Sequence, residues 1–190
     1  MEFATLGSLY EYLKSNINSM TWEIKIKALY DISLELNHLH DSSLIHQDLH
    51  PGNLLSSSNA DENFLNIADL GLCKPSDQDP QSNEASVIYG VFPYIAPGIT
   101  GILPYHNISQ DFDLALSIVQ GLRPGIPYYK PRSITKLIME CWDARPDKRP
   151  TFKVLYQTIK EWYYYIRRNR NSEFTAQIKR AEETTEDSST

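Results

Sequence analysis

His46-Gln47-Asp48-Leu49-His50-Pro51-Gly52-Asn53, followed further on by Asp69-Leu70-Gly71, is the stretch on which the reading of this chain turns. An Asp, an Asn five positions later and a second Asp in an Asp-x-Gly form a set suited to phosphoryl transfer to a hydroxyl. Asp48 is placed to accept or orient the hydroxyl proton. Asn53 and Asp69 offer hard oxygens to a Mg²⁺ on nucleotide phosphates. Each fragment alone is weak, and it is their order on a strand-loop-strand context that makes the signal strong.

Around this loop, Leu44-Ile45, Leu54-Leu55 and Phe64-Leu65-Asn66-Ile67 are short apolar runs between polar segments, the pattern of small strands. Upstream, Ser8-Leu9-Tyr10-Glu11 is a capping-box pattern opening a short helix to about Ser15. Trp22, Ile26, Leu29, Ile32, Leu36 and Leu39 keep i+3/i+4 spacing and predict a helix over 22–40, which Ile24, Ala28 and Leu34 widen into a largely buried one. Three helices are predicted downstream: over 111–120, stopped by Gly121; over 134–142, capped by Ser133; and over 152 to about 168, capped by Thr151 after Pro150. The fold class expected is mainly α with a small β element, α+β overall.

With these elements in order, the chain resembles a protein kinase catalytic domain, specifically its large C-terminal lobe, and looks most like the tyrosine-kinase-like group. Met1-Glu2-Phe3-Ala4 is similar to the end of the kinase hinge, and Gly90-Val91-Phe92-Pro93-Tyr94-Ile95-Ala96-Pro97 resembles the close of the activation segment. Cys141-Trp142-Asp143-Ala144-Arg145-Pro146-Asp147-Lys148-Arg149-Pro150 and the last predicted helix complete the match, which covers residues 1–168 with one gap. The resemblance implies ATP and Mg²⁺ as cofactors and proteins as substrates or partners. It makes Asp48 and Asn53 catalytic, puts Asn53 and Asp69 on the metal, and sets Glu2, Ala4, Leu55, Asn53 and Asp69 around the nucleotide.

The departures are as informative as the matches. The resemblance implies an N-terminal lobe with a glycine-rich loop and a phosphate-holding lysine, yet no G-x-G-x-x-G occurs in the chain. Gln47 stands where the family has an Arg that pairs with a phosphorylated activation loop. His50 takes the place of a Lys near the transferring phosphate, Leu70 that of a Phe, and Gly98 that of the Glu in Ala-Pro-Glu. Arg149 resembles the family arginine that pairs with that Glu, so it is expected to turn to solvent, to find a backbone carbonyl or to sit poorly paired. Residues 99–110, with Gly101 and Pro104, cannot hold the long buried helix that the family places there. The lobe is therefore expected to be incomplete and loosely packed.

Composition narrows the other possibilities. The 190 residues carry 18 Lys+Arg and 24 Asp+Glu, a net charge of −6, which argues against a nucleic-acid partner. With 41% hydrophobic residues the chain can bury a core. No apolar run is long enough to cross a bilayer, and Met1-Glu2-Phe3-Ala4-Thr5 lacks the features of a signal peptide. Cys73 and Cys141 form no C-x-x-C pair, so a reducing, cytoplasmic setting is expected. A metal cluster of His38, His40, His46 and His50 is disfavoured, because they fall on different elements with no zinc-binding spacing. His46 reads instead as a buried support of the loop. Residues 169–190 are acidic, rich in Ser and Thr and poor in apolar periodicity, and are expected to be a disordered tail or frayed helix.

Three readings of function follow. The first is an ATP-dependent kinase acting on protein Ser/Thr or Tyr hydroxyls, inactive as this chain alone because the loop, lysine and helix above are missing. The second is a pseudokinase-like protein-binding module whose groove lies around the helix over 111–120. The third is a truncated gene product with no independent function.

Overall fold

The computed structural model describes residues 7–16, 20–59, 62–75, 117, 122–123, 125–126, 130–143 and 145–187. Helix α1 (Leu9–Asn16) starts where the capping box places it, with the Glu11 N–H donating to Ser8 Oγ at 3.3 Å. Gly7 precedes it at φ +75, a left-handed conformation, and a Cβ there would come within 2.8 Å of the Glu11 carboxylate. Helix α2 (Trp22–Asp41) is capped by Thr21, whose Oγ1 accepts from the Ile24 N–H. Its predicted stripe of Trp22, Ile26, Leu29, Ile32 and Leu36 is buried. Ile24, read as widening that stripe, is 44% exposed, because it sits off the face that meets the rest of the core.

Strand β1 (Leu44–Ile45) follows, then a hairpin of β2 (Leu54–Asn59) and β3 (Glu62–Ile67), and then β4 (Lys74–Pro75), which pairs antiparallel with β1. The hairpin register sets Leu54 opposite Ile67 and Ser56 opposite Leu65. A bridge from Ser8 to Leu55 and a bond from the Ser56 N–H to the Gly7 carbonyl tie β2 to the start of α1.

Helix α3 (Arg132–Cys141) begins earlier than predicted, after Pro131, and Ser133 is not its cap. The Ser133 N–H donates instead to Gln177 Oε1 at 2.8 Å, so the orphan donor of this helix end is satisfied from the far end of the chain. Helix α4 (Phe152–Arg167) is capped by Thr151 as the sequence indicates, with the Val154 N–H as donor. It buries Phe152, Leu155, Tyr156, Ile159 and Trp162 against α2. Ile26 on α2, Ile134 and Ile138 on α3, and Leu155 and Ile159 on α4 are among the most deeply buried side chains and belong to one core cluster.

The acidic tail is a correction. Residues Glu173–Asp187 form helix α5, not a disordered extension. Phe174, Ile178 and Ala181 recur at i, i+4 and i+7 and are buried in the common core. Phe174 stacks on Trp162 with ring centroids 4.6 Å apart. Two polar side chains of α5 cap other helices: Gln177 on α3, and Glu182, whose Oε1 accepts from the Trp22 N–H at 3.2 Å. Burial of that stripe and completion of two helix ends give the segment reason to order, despite its composition.

Of the predicted helix over 111–120, only Ser117 is described, and it is helical. The hinge-like residues Glu2 and Ala4, the segment 90–97, Gly98 and the gap 99–110 lie outside the described residues. Arg149 has found a backbone carbonyl, donating from Nε to the Asp143 oxygen at 2.8 Å. Among the described residues the architecture is mostly helical with two small sheets.

Candidate active site

The loop between β1 and β2 is held by histidines at both ends. His46 is 3% exposed, and both of its ring nitrogens are engaged. Nδ1 lies 3.3 Å from the Asp48 N–H and Nε2 lies 3.0 Å from the Ala68 carbonyl oxygen. A backbone N–H only donates and a carbonyl only accepts, so the hydrogen of the imidazole sits on Nε2. His46 thereby links the loop to the residue preceding Asp69. Leu49, buried at 6%, pins the middle of the loop in the core. Gln47 takes φ +63, and this left-handed residue turns the chain between the histidine and Asp48.

His50 closes the other end. Its Nδ1 accepts from the Gly52 N–H at 3.0 Å, capping the turn Pro51–Asn53, and its carbonyl accepts from the Asn53 N–H at 2.9 Å. A Cβ on Gly52 would lie 2.7 Å from His50 Cε1, so any larger residue there would displace the His50 ring. The His50 Nε2 stands 3.9 Å from Asp48 Oδ2, with both side chains more than a third exposed.

Asn53 donates from Nδ2 to the Asp48 carbonyl at 2.9 Å, which fixes its amide orientation and leaves Oδ1 as the remaining acceptor. The Asn53 carbonyl accepts from the Ala68 N–H at 2.8 Å, extending the β2–β3 ladder by one step. That step sets Asn53 beside Ala68 at one end of the hairpin, with Asp69 as the next residue. Asp69 is exposed, left-handed at φ 57 and ψ 65, and opens the turn Leu70–Leu72. Leu55 is half-buried on β2.

Asp48, Asn53 and Asp69 are thus drawn together by backbone ties through His46 and Ala68. One amide oxygen and one carboxylate at the hairpin end are hard donors of the kind Mg²⁺ takes alongside phosphate oxygens, so the residues present fit the metal that the resemblance implies. In the sequence His50 reads as a replaced lysine and as a member of a disfavoured metal cluster. The structure adds its cap on Gly52 and its approach to Asp48, and the His-Pro-Gly-Asn order of a tight turn is the signal that could have shown the cap.

The histidines on α2 stand apart from this site. His40 packs edge-on to Phe152 with centroids 4.6 Å apart, and burial holds its imidazole below the ordinary value. Among the described residues no group of three or more His, Cys, Asp or Glu side chains could hold a metal ion. Burial pushes the Cys141 thiol up to about 12, which leaves it unreactive, and the Cys73 thiol is raised as well. No described helix is long and apolar enough to cross a membrane.

Comparison with known proteins bears on the family and the fold. Over 84% of its length the chain is 28% identical to the serine/threonine-protein kinase STY17 of Arabidopsis thaliana, of which it spans 32%. It is 29% identical to ankyrin repeat and protein kinase domain-containing protein 1 of Mus musculus, covering 80% of the chain and 24% of that protein. A chain of the AtMLKL3 tetramer, solved by cryo-electron microscopy, has the same fold with a TM-score of 0.72 at 21% identity, over 84% of this chain and 32% of that one. The family model described as the protein kinase domain matches residues 1–130, more than half of the chain, and the chain therefore belongs to the protein kinase domain family.

Proposed function

We propose that residues 46–53 and Asp69 form the proton-accepting and metal-holding part of a protein Ser/Thr kinase site. Asp48 takes the proton of the substrate hydroxyl as its oxygen bonds to the γ-phosphorus of ATP and the bond from that phosphorus to the bridging oxygen breaks, releasing ADP. Asn53 Oδ1 and the Asp69 carboxylate would hold the Mg²⁺ of ATP, which when bound would supply positive charge against the phosphates. Leu55 would line the nucleotide, and the family resemblance assigns Glu2 and Ala4 to it as well. Pro51 after His50 favours Ser/Thr over Tyr, and the name of the Arabidopsis relative, a serine/threonine-protein kinase, leans the same way. The observation that supports this reading is the tie of Asn53 to the Asp48 carbonyl and to the Ala68 N–H, which brings the backbone of the Asp48 loop to the residue before Asp69.

The 190 residues by themselves do not transfer phosphate in this proposal. Phosphoryl transfer depends on positioning and electrostatics, and the chain has no G-x-G-x-x-G to close over the phosphates. The docking-module reading is favoured by Gln47, which cannot pair with a phosphorylated activation loop as an arginine would. Both parts are tested by incubating the chain with radiolabelled ATP·Mg²⁺ and a generic protein substrate while following its melting. Nucleotide at a hundred times its dissociation constant adds about 2.7 kcal/mol to stability. The expected result is neither transfer nor a shift with millimolar nucleotide. A Mg²⁺-dependent shift abolished by Asp69→Asn would show that the chain binds the nucleotide after all, transfer by the natural chain would overturn the inactivity, and transfer that persists in Asp48→Asn would overturn the site.

A further inference from the structure

Helix α4 and the turn after it are basic within an acidic chain. Residues 152–170 carry Lys153, Lys160, Arg167, Arg168 and Arg170 against Glu161, 5 − 1 = +4, whereas the whole chain stands at −6. Three of these cations are set against tyrosines. Lys160 Nζ lies 5.3 Å from the Tyr156 ring centre, the Arg168 guanidinium lies 5.2 Å from that of Tyr164, and Arg167 Nη1 donates to Tyr163 Oη at 3.3 Å. Tyr30 on α2 stacks on Tyr163 at 4.4 Å and holds the row of rings in place. Arg167, Arg168 and Tyr164 are exposed. Arg and Tyr are the residue types that carry interface energy, and charges already ordered by rings lose less freedom when a partner engages them.

Beside this face is a recess. Arg167 also lines a cavity of about 300 Å³ with an apolar floor of Leu9, Met20 and Ala28. Ile24 stands on its rim, 44% exposed. The charge of Lys27 in the same cavity is matched by Asp31 at 2.8 Å, and Glu23 is a further acid on the lining.

We propose that this face docks an acidic protein segment bearing an apolar side chain. Its carboxylates meet Lys160, Arg167 and Arg168, and its apolar side chain enters the cavity between α1 and α2. Charge complementarity selects the acidic partner. An anionic bilayer is also drawn to lysine and arginine, but a flat surface cannot enter the recess, and the apolar side of α4 is buried in the core.

The test is fluorescence anisotropy of the full chain with a fluorescein-labelled peptide of repeating Glu-Glu-Leu-Glu, at low salt. Saturable binding is expected, weakened about tenfold or more by Lys160→Gln with Arg168→Gln and unchanged by Lys179→Gln on α5. Replacing Leu by Gln in the peptide should weaken binding to the natural chain, which probes the cavity without altering the fold. Unchanged melting of the variants separates lost binding from lost structure. Absence of saturable binding, binding indifferent to the paired substitution, or preferential binding to phosphatidylserine vesicles or to polyuridine would overturn the proposal.

Discussion

At the scale of single residues, two imidazoles hold the Asp48 loop by different means. His46 is buried with both nitrogens bonded, so His46→Phe keeps the apolar volume but strands the Ala68 carbonyl and the Asp48 N–H. Losing such partners costs about 1–3 kcal/mol. Denaturant unfolding should show that loss, and hydrogen exchange should show a faster Asp48 amide. A His46→Phe chain of natural stability and protection would refute the role. Gly52→Ala should push the His50 ring off the Gly52 N–H, because the new Cβ falls 2.7 Å from Cε1. The lost cap costs about 1 kcal/mol, and the NMR signals of His50 and Asp48 should move together. Asp48, Asn53 and Asp69 are singled out in the sequence by their side-chain types and order. The ties between them are not legible there, since the Ala68 carbonyl and the Asp48 N–H are backbone groups that every residue possesses.

Among the elements, α2 and α4 were legible because an i+3/i+4 apolar stripe and a threonine cap agree in each. Helix α5 was hidden because its stripe is only Phe174, Ile178 and Ala181 within an acidic segment, and because its gain from ordering comes through helices far away in sequence. The cap of α3 was misassigned to Ser133 for the same reason: the residue that completes that end is Gln177, 44 positions on. Phe174→Ala should destabilise the chain by about 3–5 kcal/mol through loss of buried volume beside Trp162. Gln177→Ala and Glu182→Ala should each cost about 1 kcal/mol. A chain ending at residue 171 that unfolds at the same denaturant concentration as the full chain would show that α5 is an ornament. Lys130 gives the same region a pH signature. Burial, then repulsion from Lys25, brings its ammonium down to about 8 from 10.5. Between those values the unfolded chain binds the extra proton, so stability rises with pH across that window, and below it both forms are protonated. Lys130→Met should flatten the rise in a melting series from pH 7 to 11, and an unchanged slope would contradict the assignment.

For the whole molecule, the core is one continuous cluster running from Leu9 on α1 to Ala181 on α5, with α2 and α4 at its centre. The loose packing expected from a missing central helix is set against this cluster, in which the C-terminal helix covers apolar faces of α3 and α4 that the sequence left without a partner. The chain spans about a third or less of the proteins it matches, and what it contributes, in our account, is a preorganised loop and a pair of metal-binding oxygens. The most direct test of that claim is paramagnetic line broadening: Mn²⁺ titrated into the ¹⁵N-labelled full chain, which reads weak metal binding without requiring turnover. The account predicts that the amides around Asn53 and Asp69 broaden first and together, and that Asp69→Asn abolishes the effect. Broadening centred on the acidic end of α5, or spread evenly over the surface and indifferent to Asp69→Asn, would contradict it.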